Sequence, residues 1–291
     1  MKRSDFIKAA LTGLTGVTMM NLKTFGNTIL NEKDTERMPA LFIGHGSPMN
    51  AIQQNAFTQA LTKAGKELPR PKAILVVSAH WQTRGTYVSV TDKPETIYDF
   101  GGFPDELYRV KYPSPGSPAL ARETKDAIKS TTVLEDTKWG LDHGAWTILK
   151  HLYPAADIPV FELSLDYTKS PEYHYKLAQE LNVLRDKGVL IIGSGNIVHN
   201  LGMLNWKDPA AKFDWSVEFD TRVKEMLLNR QHEGLIHYEK MGEAARLSVP
   251  TNEHYLPMLY AAALQQNKEQ LSFLYDSIEM GSISMRCFKI G

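Results

Sequence analysis

The chain has 291 residues, with 33 Lys plus Arg against 33 Asp plus Glu, so its formal net charge is zero. With 43% hydrophobic residues this excludes a disordered chain, and it leaves no basic field of the kind a nucleic-acid binder needs. The single cysteine, Cys287, excludes an intrachain disulfide and a cysteine-built zinc site, so any metal must be held by nitrogen and oxygen donors.

The N-terminus, residues 1–37, reads as an export signal and linker. Met1–Lys8 is basic, Ala9–Leu22 is moderately apolar and rich in small residues, and Lys23–Arg37 is polar. Lys2-Arg3, with Phe6 and Lys8 behind it, resembles a degenerate twin-arginine signal that has lysine at the first arginine position. Two readings stand: export to the periplasm, or a short N-terminal helix on a cytoplasmic protein. The apolar run is too short and mixed for a stable membrane span.

The globular part is expected from Met38 onward. Pro39–Ile43 is a short apolar run that ends in Gly44-His45-Gly46, a buried strand entering a glycine-rich turn. Ala73–Ser78 repeats the pattern and leads into His80-Trp81. The stretch Tyr98–Pro115, dense in aromatics, glycine and proline, predicts a long ordered loop. Helical spacing follows at Ala119–Lys129 and Ala145–Leu152, then a strand at Ile158–Leu163 and a helix at His174–Arg185. Val189–Ile192 predicts another strand, running into Gly193-Ser194-Gly195-Asn196, and Phe219–Leu228 and Pro257–Gln265 are further helices. Continuous apolar strands alternating with helices indicate an α/β protein whose sheet is covered on both faces. No linker divides residues 38–291, so one domain is expected.

Three histidines, His45, His80 and His199, sit at or just beyond the ends of predicted strands. Ligands of open α/β sheets bind at the carboxyl ends of strands, so distant histidines can converge there. Neutral imidazole suits iron, zinc and copper. No local metal motif of the HExxH kind exists, and residue patterning alone makes a metal site plausible and no more.

The contexts are more specific. GHGSPMN (His45), SAHW (His80), LDHGAW (His143), GSGNIVHNLG (His199) and TNEHYLPMLYA (His254), with the loop YDFGGFPDELYRVKYPSPG, resemble the LigB-type extradiol ring-cleavage dioxygenases, in particular their DOPA 4,5-dioxygenase branch. The resemblance runs from Met38 to Gly291. It implies a single-domain mixed sheet in an α/β/α arrangement, and extradiol cleavage of a catechol such as DOPA by dioxygen. It also implies catalysis on Fe(II), with Zn(II) able to occupy the same site. His45 and His80 match the first two ligand positions, and His254 matches the third. In the wider class that third ligand is often a glutamate, and Glu253 stands beside His254; the sequence leaves both open and favours the histidine. His199 matches the acid/base histidine and a fourth metal contact in the absence of substrate. His143 matches a second active-site histidine, with Asp142 as its candidate orienter. Ser194 and Asn196 are expected either to orient ligands or simply to make the turn. Arg109, Lys111 or the loop tyrosines are candidates for substrate recognition. His151, His174, His232 and His237 are read as structural or surface residues. The competing readings are a zinc hydrolase and a non-catalytic, Memo-type pocket protein on the same fold. A symmetric homodimer is the general expectation for the assembly.

Overall fold

The computed structural model describes residues 37–291. Apart from Arg37, the export-signal and linker reading lies outside the described residues. In chain order the strands are β1 (Ala40–Gly44), β2 (Ala73–Ser78), β3 (Gln82–Thr83), β4 (Thr86–Ser89), β5 (Val133–Asp136), β6 (Val160–Glu162), β7 (Leu165–Asp166), β8 (Val189–Gly195), β9 (Leu271–Tyr275), β10 (Ile278–Glu279), β11 (Ile283–Ser284) and β12 (Cys287–Ile290). The main sheet has the order β6-β2-β8-β1-β12-β9. Its first four strands are parallel, while β12 runs antiparallel to both β1 and β9. The sheet is therefore mixed. The remaining strands form three short two-stranded pairs.

The central strands are apolar throughout because both faces are covered. Side chains alternate between the faces. Leu41, Ile43, Ile74, Val76, Leu190 and Ile192 pack with Phe57 and Leu61 of α1 (Ala56–Glu67). Further along, α2 (Asp105–Tyr108) is one turn within the aromatic loop and α3 (Pro118–Ala127) is a surface helix. Next, α4 (His143–Leu152) adds Trp146 and Leu149 to the face already covered by α1. Ala40, Phe42, Leu75, Val77 and Ile191 look the other way. They meet α5 (Pro171–Glu180), followed by the short α6 (Asn182–Asp186), α7 (Asp214–Leu228), α8 (His232–Ile236), α9 (Glu243–Ser248) and α10 (Leu256–Ala263). This is the expected α/β/α layering. None of the described helices is long and apolar enough to cross a membrane.

Local chemistry sets the boundaries where they differ from the sequence expectation. The helix expected from Ala145 begins at His143, because the Asp142 carboxylate caps it by accepting from the Ala145 N–H at 3.1 Å. The run His174–Arg185 is two helices, α5 and α6. The first starts at Pro171, behind a Ser170 cap. Helix α1 and the C-terminal strands β9 and β12 were not expected from the sequence.

The end of β8 sets how closely the helices approach the sheet. Gly193 lies level with Phe42 and Val77, and Gly195 with Gly44. A Cβ on Gly193 would stand 2.1 Å from the Pro257 carbonyl oxygen, and one on Gly195 would stand 2.1 Å from that of His254. Bare backbone here lets the N-terminus of α10 lie directly on the sheet. Gly193→Ala should therefore destabilise the protein by about 1–3 kcal/mol or more, the scale of overpacking. Calorimetric melting checks this, and a melting temperature equal to wild type would show that α10 can move aside.

Candidate active site

Five histidines line one cavity of about 580 Å³ at the carboxyl edge of the sheet. His45 follows β1, and its N–H donates to the Gly195 carbonyl at 3.1 Å. His80 follows β2, and its N–H donates to Ser78 Oγ at 3.2 Å. His143 is the first residue of α4. His199 lies beyond β8, its N–H bound to the Ser248 carbonyl at 2.8 Å. His254 precedes α10, and its carbonyl accepts from the Asn196 N–H at 2.8 Å. The ring centroids of His45, His80 and His254 are 5.0–5.4 Å apart. His143 lies 3.8 Å from His80, and His199 stacks on His254 at 3.5 Å with the rings 8° from parallel.

The protonation of two rings follows from their partners. Ser194 Oγ is 2.6 Å from the Gly144 carbonyl, which can only accept, so the single hydroxyl proton is committed there. His45 Nδ1, 2.9 Å from the same Oγ, must then be the donor. His254 Nδ1 is 3.0 Å from Glu253 Oε1 and donates to it. With these Nδ1 protons so placed, the Nε2 atoms of His45 and His254 carry lone pairs. His80 Nδ1 lies 3.2 Å from Asp99 Oδ2, and His80 Nε2 lies 3.1 Å from His45 Nε2. The His45 lone pair there is met either by an Nε2 proton of His80 or by a cation, and neutral imidazoles so gathered fit a metal ion. Ligand atoms of His45, His80 and His254 all lie within 4.8 Å of one another. The groups His80–Asp99–His143 and His199–Glu253–His254 meet the same distance limit. In those groups, however, the carboxylate oxygens already accept imidazole protons.

Burial first, and then the charges of neighbouring histidines, hold His45 and His254 well below the usual imidazole value. Burial and His143 bring His80 down to about 3 against the opposing charge of Asp99. Burial brings His199 down to about 4. These rings are neutral at pH 7, the form that binds a metal, so the 3.2 Å His80–Asp99 contact is not an ion pair there. Burial pushes the Asp99 carboxyl up, but its bonds to His143 and the nearby charges of His143 and His80 more than offset this, and the net direction is down.

The carboxylate that orients His143 is Asp99, not the Asp142 expected from the sequence. Asp99 Oδ2 lies 2.9 Å from His143 Nδ1, and Oδ1 accepts the His143 N–H at 2.9 Å. Asp142 is instead occupied as the α4 cap and as the acceptor of Ser78 Oγ at 2.7 Å. Arg109 and Lys111 are exposed and do not line the cavity; the Lys111 ammonium sits over the Tyr98 ring, 4.9 Å from its centroid. The aromatic loop contributes Asp99, Phe100 and Phe103 instead. Ser194 orients His45, as one of its two readings had it, whereas the Asn196 side chain bonds the Ser284 carbonyl at 2.8 Å and braces β11. Glu253 lines a second cavity of about 470 Å³, with Gln82, Tyr167 and Arg246, which holds none of the five histidines. Trp81 packs on Trp139, their rings 5.1 Å apart and stacked.

The other histidines are structural or peripheral. His174 is buried between the Tyr260 hydroxyl and the Asp166 carbonyl, and His151 donates to the Asn50 carbonyl at 2.8 Å. His232 bonds the Tyr175 hydroxyl, and His237 lies beside Glu233 on the surface. Asp99 and Glu279, which also lines the main cavity, were missed by sequence reasoning. For Asp99 the one available signal was an acid set among the aromatics of YDFGGF.

Over residues 39–287 the chain matches the family described as the catalytic LigB subunit of aromatic ring-opening dioxygenase. It is 45% identical over 259 residues to the 4,5-DOPA dioxygenase extradiol of Escherichia coli K12, covering 88% of this chain and 95% of that one. Its identity to the 4,5-DOPA dioxygenase extradiol of Beta vulgaris is 39% over 255 residues, covering 85% and 94%. Among solved structures, an uncharacterized protein of Escherichia coli K12 aligns with a TM-score of 0.77 at 42% identity, covering 88% of this chain and 100% of that one.

Two outcomes are expected from the geometry. Asp99→Asn should weaken metal binding by about 10–100-fold, the usual effect of losing the partner on a ligand's other nitrogen. Chelator competition measures this, and unaltered affinity would mean that Asp99 does not orient His80. The lowered histidines also make the metal-free fold sensitive to acid. Unfolded imidazoles take up protons near pH 6.5, whereas the folded ones do so only near 4 for His199 and 3 for His80. Their contribution to stability is complete above about pH 6.5 and is lost as the pH falls toward 4 and then 3. Melting temperatures measured across this window should fall continuously, and a flat profile would contradict the neutral assignment.

Proposed function

The chain belongs to the LigB family of aromatic ring-opening dioxygenases, and from that premise we propose that it opens DOPA, or a closely similar catechol, at the 4,5 bond with dioxygen, using ferrous iron held by His45, His80 and His254. Extradiol cleavage of catechols is the activity the family carries, and it is metal-dependent; the hydrolase and pocket-protein readings have no support from any relative. The observation that carries the metal assignment is the grouping of ligand atoms of His45, His80 and His254 within 4.8 Å of one another, with the Nδ1 protons of His45 and His254 committed elsewhere; the choice of iron rests on the redox chemistry of ring cleavage. The proposed catalytic domain is residues 38–291.

Ferrous iron held by His45, His80 and His254 would supply Lewis acidity toward the catechol and redox chemistry toward dioxygen, whereas zinc suits the same donors but is redox-silent. His199 is the acid/base residue. No hydrogen bond engages its ring among the described residues, and burial keeps it neutral at pH 7, so it begins the cycle as a base. Its stacking on His254 also puts it within reach of a fourth contact to the metal before substrate arrives. His143, its Nδ1 fixed by Asp99, presents Nε2 to the ring oxygens of the substrate. Phe100, Phe103, Leu204 and Ile283 give the cavity an apolar wall against which a catechol ring would pack.

The direct test is oxygen uptake by anaerobically Fe(II)-loaded protein given L-DOPA, with the yellow product followed by absorbance. One dioxygen per DOPA is expected, and His199→Ala should lower kcat by about 10²–10⁴-fold. No uptake with DOPA or with a panel of simple catechols, despite bound iron, would overturn the reading. The third ligand is tested separately. His254→Ala should abolish iron binding, while Glu253→Ala should weaken it by about 10–100-fold; the opposite order would move the ligand to Glu253.

A further inference from the structure

The main cavity is lined by chemically different groups. Part of its wall is the histidine cluster. Another part of its wall comes from the β10–β11 hairpin, which carries Glu279. This hairpin is tied to the catalytic segment: His199 bridges to Ile283, the Asn200 N–H donates to the Ser282 carbonyl at 3.2 Å, and Ser282 Oγ donates to the Asn200 carbonyl at 2.8 Å. Glu279 is therefore held over the same space as the five histidines.

The Glu279 carboxylate is half-buried, and no ion pair or hydrogen bond engages it among the described residues. Burial raises its carboxyl above the ordinary value. A partly desolvated, unpaired carboxylate is costly, and a cation relieves that cost. Among the described residues no lysine or arginine lines the cavity to supply one. The wall around it is largely apolar, with Met49, Phe103, Leu204 and Trp206, so a charge brought in by the substrate would be weakly screened.

We propose that Glu279 makes this site selective for catechols whose side chain carries an ammonium group, and that a side-chain carboxylate adds nothing to recognition. The proposal rests on the ring-cleavage reading. DOPA qualifies through its amine. A catechol with a carboxylate and no amine meets Glu279 as a like charge with no cation to offset it. A catecholamine lacking the carboxylate keeps the favourable pair.

The test compares kcat/KM of iron-loaded enzyme for dopamine, L-DOPA, 4-ethylcatechol and 3-(3,4-dihydroxyphenyl)propionate, in wild type and in E279Q and E279D. Wild type should prefer the two amines over the neutral catechol, and the propionate should be poorest. In E279Q the preference for dopamine over 4-ethylcatechol should fall by about tenfold, chiefly through KM, the scale of one charge-assisted hydrogen bond. The propionate should gain, and E279D should retain part of the preference. Calorimetry on redox-silent zinc-loaded protein should show the same roughly tenfold loss in dopamine affinity. An unchanged dopamine-to-ethylcatechol ratio in E279Q, or a wild-type preference for the propionate, overturns the assignment of Glu279 while leaving ring cleavage intact. Failure to open any of the four catechols, despite bound iron, removes the ring-cleavage reading and the proposal with it.

Discussion

The site depends on three residues at the end of one strand. In Gly193-Ser194-Gly195 the pleat sends alternate positions to opposite faces of the sheet. The two glycines face α10 and admit the backbone of residues 254–257 to a distance no side chain would allow. Ser194 faces α4, where it spends its proton on the Gly144 carbonyl and accepts the proton of His45. The parallel register with β1 and β2 brings these residues level with Ile43 and Ser78, just before His45 and His80. One short sequence thus fixes a third histidine segment against one side of the sheet and sets the tautomer of a histidine on the other.

Tautomer control is what turns a group of histidines into a donor set. A free imidazole places its proton on either nitrogen, and a cluster of them would hydrogen-bond internally. Here a hydroxyl takes the Nδ1 proton of His45 and a carboxylate takes that of His254, leaving lone pairs on their Nε2 atoms. Burial adds to this by disfavouring the charged form of every ring it shifts. Asp99 touches two rings at once, bonding His143 and lying 3.2 Å from His80 Nδ1. A change there is felt by a metal ligand and by a substrate-facing histidine together, so Asp99 variants should not separate cleanly into binding and rate effects.

The scaffold was legible in the sequence where burial is continuous. Ala73–Ser78 and Val189–Ile192 are apolar at nearly every position because helices cover both faces, and such runs stand out from any single face of a half-exposed element. Strand β9 is only partly buried and β12 is four residues long, so neither carries that signal. Of the five cavity histidines, His45, His80 and His199 were legible from their places at strand ends, while His143 and His254 stood out only through the resemblance of their contexts to the LigB family. Their orienting partners were not. Asp99 is 44 residues from His143, and Ser194 is 149 from His45. Nothing local distinguishes a carboxylate that will meet an imidazole across the fold from one that will cap the nearest helix. Asp99 holds the role expected of Asp142 for that reason: adjacency suggested Asp142, but a helix N-terminus claims the side chain immediately before it.

The division between rigid and variable parts bears on selectivity. The three proposed ligands stand on strand ends and on the start of a helix clamped to the sheet, which hold geometry well. The walls that would face a substrate side chain come from elsewhere: the aromatic loop with Phe100 and Phe103, the segment beyond His199 with Leu204 and Trp206, and the β10–β11 hairpin with Glu279. These last two are fastened together, since the Asn205 N–H donates to the Met280 carbonyl at 2.7 Å and the Phe213 N–H to that of Gly281 at 3.2 Å. Side-chain recognition can therefore be altered by exchanging residues on connecting segments without disturbing any bond that sets an imidazole tautomer. The Trp206 side chain, 76% exposed, is the most exposed large apolar group on this wall, so exchanging it would alter the rim at little cost to the core.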